Sequence, residues 1–172
     1  MKLAVEKLEA GYQGKTVVKD VSFTVEKGEF ISLIGPSGCG KSTVLKVLAG
    51  LLEPMAGTIM VDDAPLQGGS RHFSYMPQSD LLLDWYDILD NVCLYGKIHG
   101  KKKEAQQQAL ENLKEFGLAG YEHAYPSQLS GGMRQRAAFL RTALCDSDIL
   151  LLDEPFGALD VITREDMQDW LN

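Results

Sequence analysis

The sequence predicts an α/β fold with a mixed β-sheet, an antiparallel β portion at the N-terminus and an inserted helical subdomain. Segments 3–9, 17–25 and 29–34 alternate or run apolar and are rich in β-branched residues, which is typical of strands. A glycine-rich loop follows the third segment, and from 87 to 144 apolar residues recur at helical spacing. We therefore expect one domain over residues 1–172, with a helical subdomain at approximately 87–144.

The remaining elements follow in chain order. The apolar spacing of 41–52 predicts a helix that ends before Pro54. Short strands are expected near 57–61 and 71–76. The unbroken apolar run 148–152 is typical of a parallel strand buried on both faces.

Composition narrows the functional classes. The chain has 172 residues, of which 45% are hydrophobic, enough to bury one compact core. Its net charge of -7 disfavours a general nucleic-acid surface, so we expect no nucleic-acid partner. Its 3 cysteines are far apart and lack C-x-x-C spacing, which indicates neither a disulfide framework nor a zinc site. With no membrane-length apolar run and no secretion signal, a cytoplasmic domain is expected.

Residues 35–43 form a complete phosphate loop, G-x-x-x-x-G-K-[ST], directly after an apolar segment. Its glycines can turn successive N–H groups toward phosphate oxygens at the start of a helix. Lys41 would reach the β- and γ-phosphates, and the Ser42 hydroxyl would ligate Mg²⁺. A P-loop NTPase core is therefore predicted, with nucleotide-binding residues Gly35, Ser37, Gly38, Cys39, Gly40, Lys41, Ser42 and Thr43.

A second motif, Asp153-Glu154, ends the apolar run 148–152. Alone, such a pair is more often a turn at the end of a strand. Beside a phosphate loop, an aspartate at the carboxyl end of a buried strand lies where ligands bind in α/β sheets. Asp153 is therefore predicted to hold Mg²⁺, and Glu154 to orient or deprotonate the attacking water.

The signature segment, residues 129–136, reads Leu-Ser-Gly-Gly-Met-Arg-Gln-Arg before a helical pattern. Ser130 is a candidate N-cap, and Gly131 and Gly132 would let phosphate approach the backbone. Together with the two earlier motifs and their order, this segment closely resembles the nucleotide-binding domain of ABC-type ATPases, whose signature is Leu-Ser-Gly-Gly-Gln. The chain departs from that form only at Met133.

The resemblance implies further roles and the ligands ATP and Mg²⁺. Tyr12 matches the aromatic that stacks on adenine, although a packing tyrosine near a turn is the simpler alternative. Gln78 matches the glutamine that senses Mg²⁺ and water, and Asp160 lies in the loop that crosses to a partner subunit. Family ATPases form head-to-tail dimers, with each ATP between one phosphate loop and the other signature helix. The implied catalytic residues are Glu154, Gln78 and Lys41, and the implied metal ligands are Ser42, Gln78 and Asp153.

One family feature is missing. ABC ATPases carry a histidine, downstream of the loop at Asp160, that contacts the γ-phosphate. The histidines here are His72, His99 and His123, none of which matches it, and the sequence stops at Asn172. We therefore expect a C-terminally truncated domain that binds ATP, and its turnover is left open.

Two features indicate which ABC protein this is. The interval between Gln78 and Ser130 is too short for the coiled-coil insertion of chromosome-maintenance and repair ATPases. Segment 82–92 resembles the part with which importer ATPases contact their membrane subunits. The region of Trp85 and the signature segment look most like the nitrate, sulfonate and taurine group and its thiamine-precursor relatives. The resemblance implies an ATPase subunit of a bacterial importer, bound to a permease at the inner face of the cell membrane. Its transported substrate is not determined by these motifs.

Two alternatives remain open. A soluble ABC protein acting on ribosomes or nucleic acid would normally show tandem domains and basic linkers, whereas this chain is acidic. A non-hydrolysing nucleotide-binding module is compatible with the missing C-terminal residues. Co-purification with a permease discriminates the first alternative, and a turnover assay discriminates the second.

Overall fold

A computed structural model describes residues 2–66 and 71–155. The chain divides into two compact units. The first unit contains Met1–Tyr75 and Ser147–Asp153, and the second contains Met76–Asp146 and the residues from Glu154 onward. Within the described ranges, no helix has the length and apolar character needed to cross a bilayer.

The first unit is built on a four-stranded antiparallel sheet of β1 (Leu3–Tyr12), β2 (Lys15–Val25), β3 (Ala56–Val61) and β4 (Ala64–Pro65), in the order β2-β1-β3-β4. A tight turn joins β1 to β2, and both Gln13 (φ 51°) and Gly14 (φ 78°) adopt the left-handed backbone that short hairpins require. The antiparallel N-terminal portion predicted from sequence is thus confirmed.

The core of the first unit lies between this sheet and helix α1 (Lys41–Leu48). The pairing of β1 with β2 shifts register between Val5 and Leu8, and Lys7 has a positive φ, which marks a β-bulge. The bulge adds one residue to β1, so the residues after it keep the same buried face as those before it. The apolar residues on both sides of the bulge therefore share the buried face. The buried apolar side chains of β1 and α1 are Leu3, Val5, Leu8, Ala10, Val44, Val47 and Leu48.

Helix α1 ends earlier than the predicted boundary at 52. Gly50 has a φ of 71°, its N–H donates to Val47 O (3.0 Å), and Leu51 N–H donates to Lys46 O (2.8 Å). This is the Schellman pattern, in which a left-handed glycine satisfies the last helical carbonyls. The glycine rather than Pro54 therefore ends the helix.

The strand predicted at 29–34 is wrong. The structure assigns no strand there, and Phe30 (73%), Ile31 (41%) and Ile34 (94%) are exposed. An extended segment becomes a strand only when a neighbour accepts its backbone hydrogen bonds. Within the described residues no strand pairs with this segment, although its apolar and β-branched residues suit a sheet.

A second, two-stranded sheet pairs β5 (Phe73–Met76) with β6 (Ile149–Leu152). The sequence predicted that the apolar run of β6 is buried on both faces. Of its four residues only Leu151 is buried, and the other three are partly exposed, so this part of the prediction is wrong. An apolar composition indicates that a strand prefers to be buried. Whether it is buried depends on neighbouring elements, which are distant in sequence.

The second unit contains helices and a short 3₁₀ turn, Pro126–Gln128. Gly96 lies within the helix Leu94–Ile98, and a Cβ at this position would collide with Ala105 of the next helix, so the close packing of these two helices requires glycine. Phe116 and Phe139 stack with ring centroids 5.7 Å apart in the buried core. The helices are α2 (Ile88–Val92), α3 (Leu94–Ile98), α4 (Lys102–Glu115) and α5 (Gly131–Ala143). The subdomain boundaries 87–144 remain a prediction.

Candidate nucleotide-binding site

The phosphate loop joins segment 29–34 to helix α1, and its last glycine is the N-cap of that helix. Gly40 has a φ of 105°, and a Cβ there would lie 2.6 Å from Val18 Cγ2. Gly38 also has a positive φ, 79°. Both the backbone angle and the close approach therefore require glycine at position 40.

Lys41 folds back over its own loop. Its ammonium donates hydrogen bonds to Gly35 O (2.9 Å) and Pro36 O (3.0 Å), and it lies 3.9 Å from Cys39 Sγ. Neutral carbonyls are weaker partners for a cation than phosphate oxygens are. The side chain is thus held where an anion in the loop can replace its present acceptors.

Next to this lysine, Ser42 and Asp153 meet across 111 residues of sequence. Ser42 Oγ donates to Asp153 Oδ1 (2.9 Å), and Tyr75 Oη donates to Asp153 Oδ2 (3.2 Å). Asp153 is buried (5% exposed). Burial, followed by the negative charge of Asp153, raises the pKa of Tyr75 to about 12, so its hydroxyl stays protonated and keeps donating.

Sequence reasoning missed Tyr75. The sequence did offer a signal for Tyr75, which lies in a predicted strand three residues before Gln78. Side chains alternate between the two faces of a strand, so this position fixes the face on which the Tyr75 side chain lies. Its tie to Asp153 orients one carboxylate oxygen and leaves the other to Ser42.

Tyr12 lies at the end of β1 with 44% of its surface exposed. Lys46 Nζ lies 6.0 Å from its ring centroid, at the outer limit of a cation–π contact. The ring is therefore accessible for stacking rather than packed in the core. Its role against adenine stays a prediction.

In the second unit, Gln78 and Glu154 form a side-chain pair. Gln78 Nε2 donates to Glu154 Oε2 at 2.9 Å. Glu154 also has a φ of 52°, a left-handed backbone that costs a non-glycine residue roughly 1 kcal/mol. Such strain is concentrated at functional sites, because there the surroundings hold a side chain in a required direction.

The signature segment begins helix α5 as its sequence indicates. Ser130 is the N-cap, and its Oγ accepts a hydrogen bond from Met133 N–H (3.3 Å). Arg134, which sequence reasoning did not single out, donates to Leu129 O (2.9 Å) and to Asp80 Oδ2 (3.1 Å). The arginine thus connects the start of α5 to the segment that follows Gln78.

The predicted site residues fall into two groups. The first unit brings together the phosphate loop, Ser42 and Asp153, and the second brings together Gln78 and Glu154. Asp160 lies outside the described residues. Among the residues that are described, no cluster of three or more His, Cys, Asp or Glu side chains could hold a metal ion. A cation at Asp153 would therefore need hydroxyl, phosphate or water oxygens as well.

Cys39 is expected to be the first cysteine that a maleimide modifies, and bound Mg-ATP is expected to protect it. Cys39 is exposed, whereas burial raises the pKa of Cys93 to about 11 and also raises the pKa of Cys145. Because the thiolate is the nucleophile, Cys93 and Cys145 should react slowly at pH 7, and Cys93 should stay slow up to pH 9. Peptide mapping after brief labelling measures this, with Cys39→Ser as the control. Equal labelling of Cys39 with and without Mg-ATP would contradict the prediction.

Comparison with known proteins identifies the family. The ABC transporter family model matches residues 18–157. A taurine import ATP-binding protein of Yersinia pseudotuberculosis is 46% identical over 98% of this chain and 67% of its own length. An aliphatic sulfonates import ATP-binding protein of Rhodococcus jostii is 49% identical over 93% of this chain and 62% of its own length.

Solved structures of ATP-binding cassettes resemble this chain as well. A dimeric post-hydrolysis state of the ATP-binding cassette MJ0796, bound to ADP and Pi, has a TM-score of 0.86 and 29% identity. It covers 98% of this chain, which in turn covers 81% of that cassette. The α/β fold predicted from the sequence is confirmed by this likeness. With its family match and these relatives, the chain belongs to the ABC transporter family as part of an ATP-binding cassette.

Proposed function

We propose that this chain is the ATP-binding and ATP-hydrolysing part of a bacterial ABC importer. The observation that carries the proposal is the Ser42–Asp153 pair, which lies beside Lys41 at the end of the phosphate loop. Import ATP-binding proteins for taurine and for aliphatic sulfonates are its relatives at 41–49% identity. The chain spans 60–67% of the length of the curated relatives, so the whole protein's activity is part of this proposal.

The phosphate loop and Asp153 together bind the phosphates of ATP and Mg²⁺. The backbone N–H groups at the start of α1 and the Lys41 ammonium bind the phosphate oxygens of ATP. Ser42 Oγ and Asp153 Oδ1, 2.9 Å apart, are the hard oxygen donors that suit Mg²⁺, with Asp153 acting directly or through water. When bound, Mg²⁺ neutralises charge on the β- and γ-phosphate oxygens.

Glu154 and Gln78 serve the attacking water. Glu154 directly follows Asp153 in sequence. Its carboxylate takes a proton from the attacking water as the water oxygen bonds to the γ-phosphorus, while the bond from that phosphorus to the bridging oxygen breaks and ADP leaves with that oxygen. Gln78 donates to that carboxylate at 2.9 Å and so orients it, and its amide oxygen is the atom that would bind Mg²⁺. The strained backbone of Glu154 supports this assignment.

A second copy completes each site. In the proposed head-to-tail dimer, the phosphate loop of one subunit faces Ser130, Gly131 and Gly132 at the start of α5 of the other. A helix N-terminus capped by a serine and opened by two glycines suits an anion. Two of the similar solved cassettes are dimeric.

The membrane partner is a permease, which holds the subunit at the inner face of the membrane. Segment 82–92, matched to the permease contact of importers, carries Trp85 with 71% of its surface exposed. Leu81, just before the segment, is 60% exposed. The relatives import taurine, aliphatic sulfonates and formylaminopyrimidine, so their names do not select one substrate for this chain.

Co-expression with an ABC permease from the same organism tests the importer assignment. The tagged chain should co-purify with that protein in detergent, and Trp85→Ala should reduce the recovered partner at least about tenfold, because buried tryptophans carry much of an interface's energy. Nucleotide binding by the variant should not change.

The matched control is Tyr121→Ala, which removes another exposed aromatic ring of the same unit. Recovery of the partner with this control should equal that of the wild type. If the wild-type chain recovers no permease, the importer assignment is wrong.

A further inference from the structure

We propose that Asn91 is a positioning residue that holds the docking loop, residues 83–87, in one shape so that Trp85 is presented to the permease. The inference rests on the importer assignment for the identity of the partner. The loop's order is a property of this chain alone. The partner expected is an apolar pocket of the membrane subunit with a basic rim, since the exposed Asp84 stands beside Trp85.

Asn91 directs its whole carboxamide to this loop. Its Oδ1 accepts from Leu83 N–H at 2.7 Å. Its Nδ2 donates to Leu83 O (3.1 Å), Tyr86 O (3.1 Å) and Asp87 O (3.0 Å). With two amide hydrogens for three carbonyls, at least one of these bonds is shared. The side chain is fully buried, so no water competes for these partners.

The loop is also anchored where it enters helix α2. Asp87 is the N-cap of that helix, and its Oδ1 accepts from Asp90 N–H at 2.7 Å. Lys97 Nζ lies 4.3 Å from the ring centroid of Tyr86 and 2.6 Å from Asp90 Oδ1. Both flanks of the exposed tryptophan are therefore fixed by groups of the second unit.

A fixed loop matters for docking. Trp85 projects 71% of its surface, and its ring lies 6.4 Å from that of Tyr86 in a tilted arrangement. Ordering a flexible loop on binding costs conformational entropy, which weakens affinity. The Asn91 carboxamide bonds the backbone of Leu83, Tyr86 and Asp87, so the loop is already ordered. Trp85 is therefore in position before the partner binds.

Amide hydrogen exchange in the 172-residue chain tests the role without any partner. The reference is Leu118 N–H, which donates to Leu113 O (2.8 Å) in the same unit and belongs to a fully buried residue. In Asn91→Ala, the amide exchange rate of Leu83 relative to that of Leu118 should rise at least about tenfold. The reason is that the loop loses the hydrogen bonds of the Asn91 side chain and opens locally more often.

The matched control is Asn112→Ala. The carboxamide of that asparagine donates to Gln108 O (2.8 Å) within helix α4, and its loss should leave the Leu83 to Leu118 ratio unchanged. If Asn91→Ala does not fold, Asn91→Ser is measured, because its short hydroxyl cannot span the four bonds.

Equal acceleration of Leu83 and Leu118 would mean that Asn91 supports only the stability of the whole unit, and would overturn the proposal. An unchanged Leu83 rate would overturn it too. Either failure concerns Asn91 alone, because no permease is present. Failure of the permease to co-purify concerns the importer assignment and leaves the exchange result standing.

Discussion

Replacing Lys41 with alanine is expected to weaken Mg-ATP binding by about 2–3 kcal/mol, or roughly 30- to 150-fold. The ammonium now bonds Gly35 O and Pro36 O, and in the complex it exchanges these neutral acceptors for charged phosphate oxygens. Removing it leaves the backbone N–H groups of the loop to hold the β- and γ-phosphates alone. Titration calorimetry with Mg-ATP measures the loss.

Lys103→Ala is the control, since it removes an equal charge from an exposed position of helix α4. Its affinity for Mg-ATP should match that of the wild type. Unchanged affinity in Lys41→Ala would overturn the assignment of residues 35–43 as the phosphate site.

Replacing Glu154 with glutamine is expected to lower ATP turnover by about 10² to 10⁴-fold while ATP still binds. The amide keeps the shape and can still bond Gln78, but it cannot accept the proton of the attacking water. The ATP-bound dimer should then accumulate, because its dissociation follows hydrolysis. Turnover and size-exclusion chromatography at saturating Mg-ATP, in a chain extended to the length of the relatives, measure both effects.

Glu115→Gln, at an exposed position in α4, controls for loss of a carboxylate and should hydrolyse ATP at the wild-type rate. A Glu154→Gln chain that stays monomeric and hydrolyses normally would exclude Glu154 as the base. No turnover in the extended wild type would favour the non-hydrolysing module instead.

Local features of this protein were predictable because neighbouring residues produce them. The glycines of the phosphate loop, the Ser130 N-cap of α5 and the antiparallel β1 and β2 depend on residues close in sequence. The family resemblance was also readable, since its motifs are short and ordered, and the family match confirms it. Boundaries were less predictable, because a cap such as Gly50 ends α1 before its apolar pattern stops.

The errors and omissions have a common cause. Segment 29–34 has the composition of a strand, but pairing requires a second strand that sequence proximity does not supply. Tyr75 was missed because its partner, Asp153, is 78 residues away. Arg134 was overlooked for the same reason, since Asp80 lies 54 residues from it.

The sequence by itself determined the family, the phosphate loop and the chemical type of each proposed site residue, because these are carried by residue identity and short spacing. Only the tertiary structure decided that Ser42 meets a buried Asp153, that Gln78 holds Glu154, and that Asn91 ties down the loop bearing Trp85. Hydrogen bonds act over about 3 Å, whereas residues 42 and 153 are 111 positions apart, so folding alone brings their oxygens together.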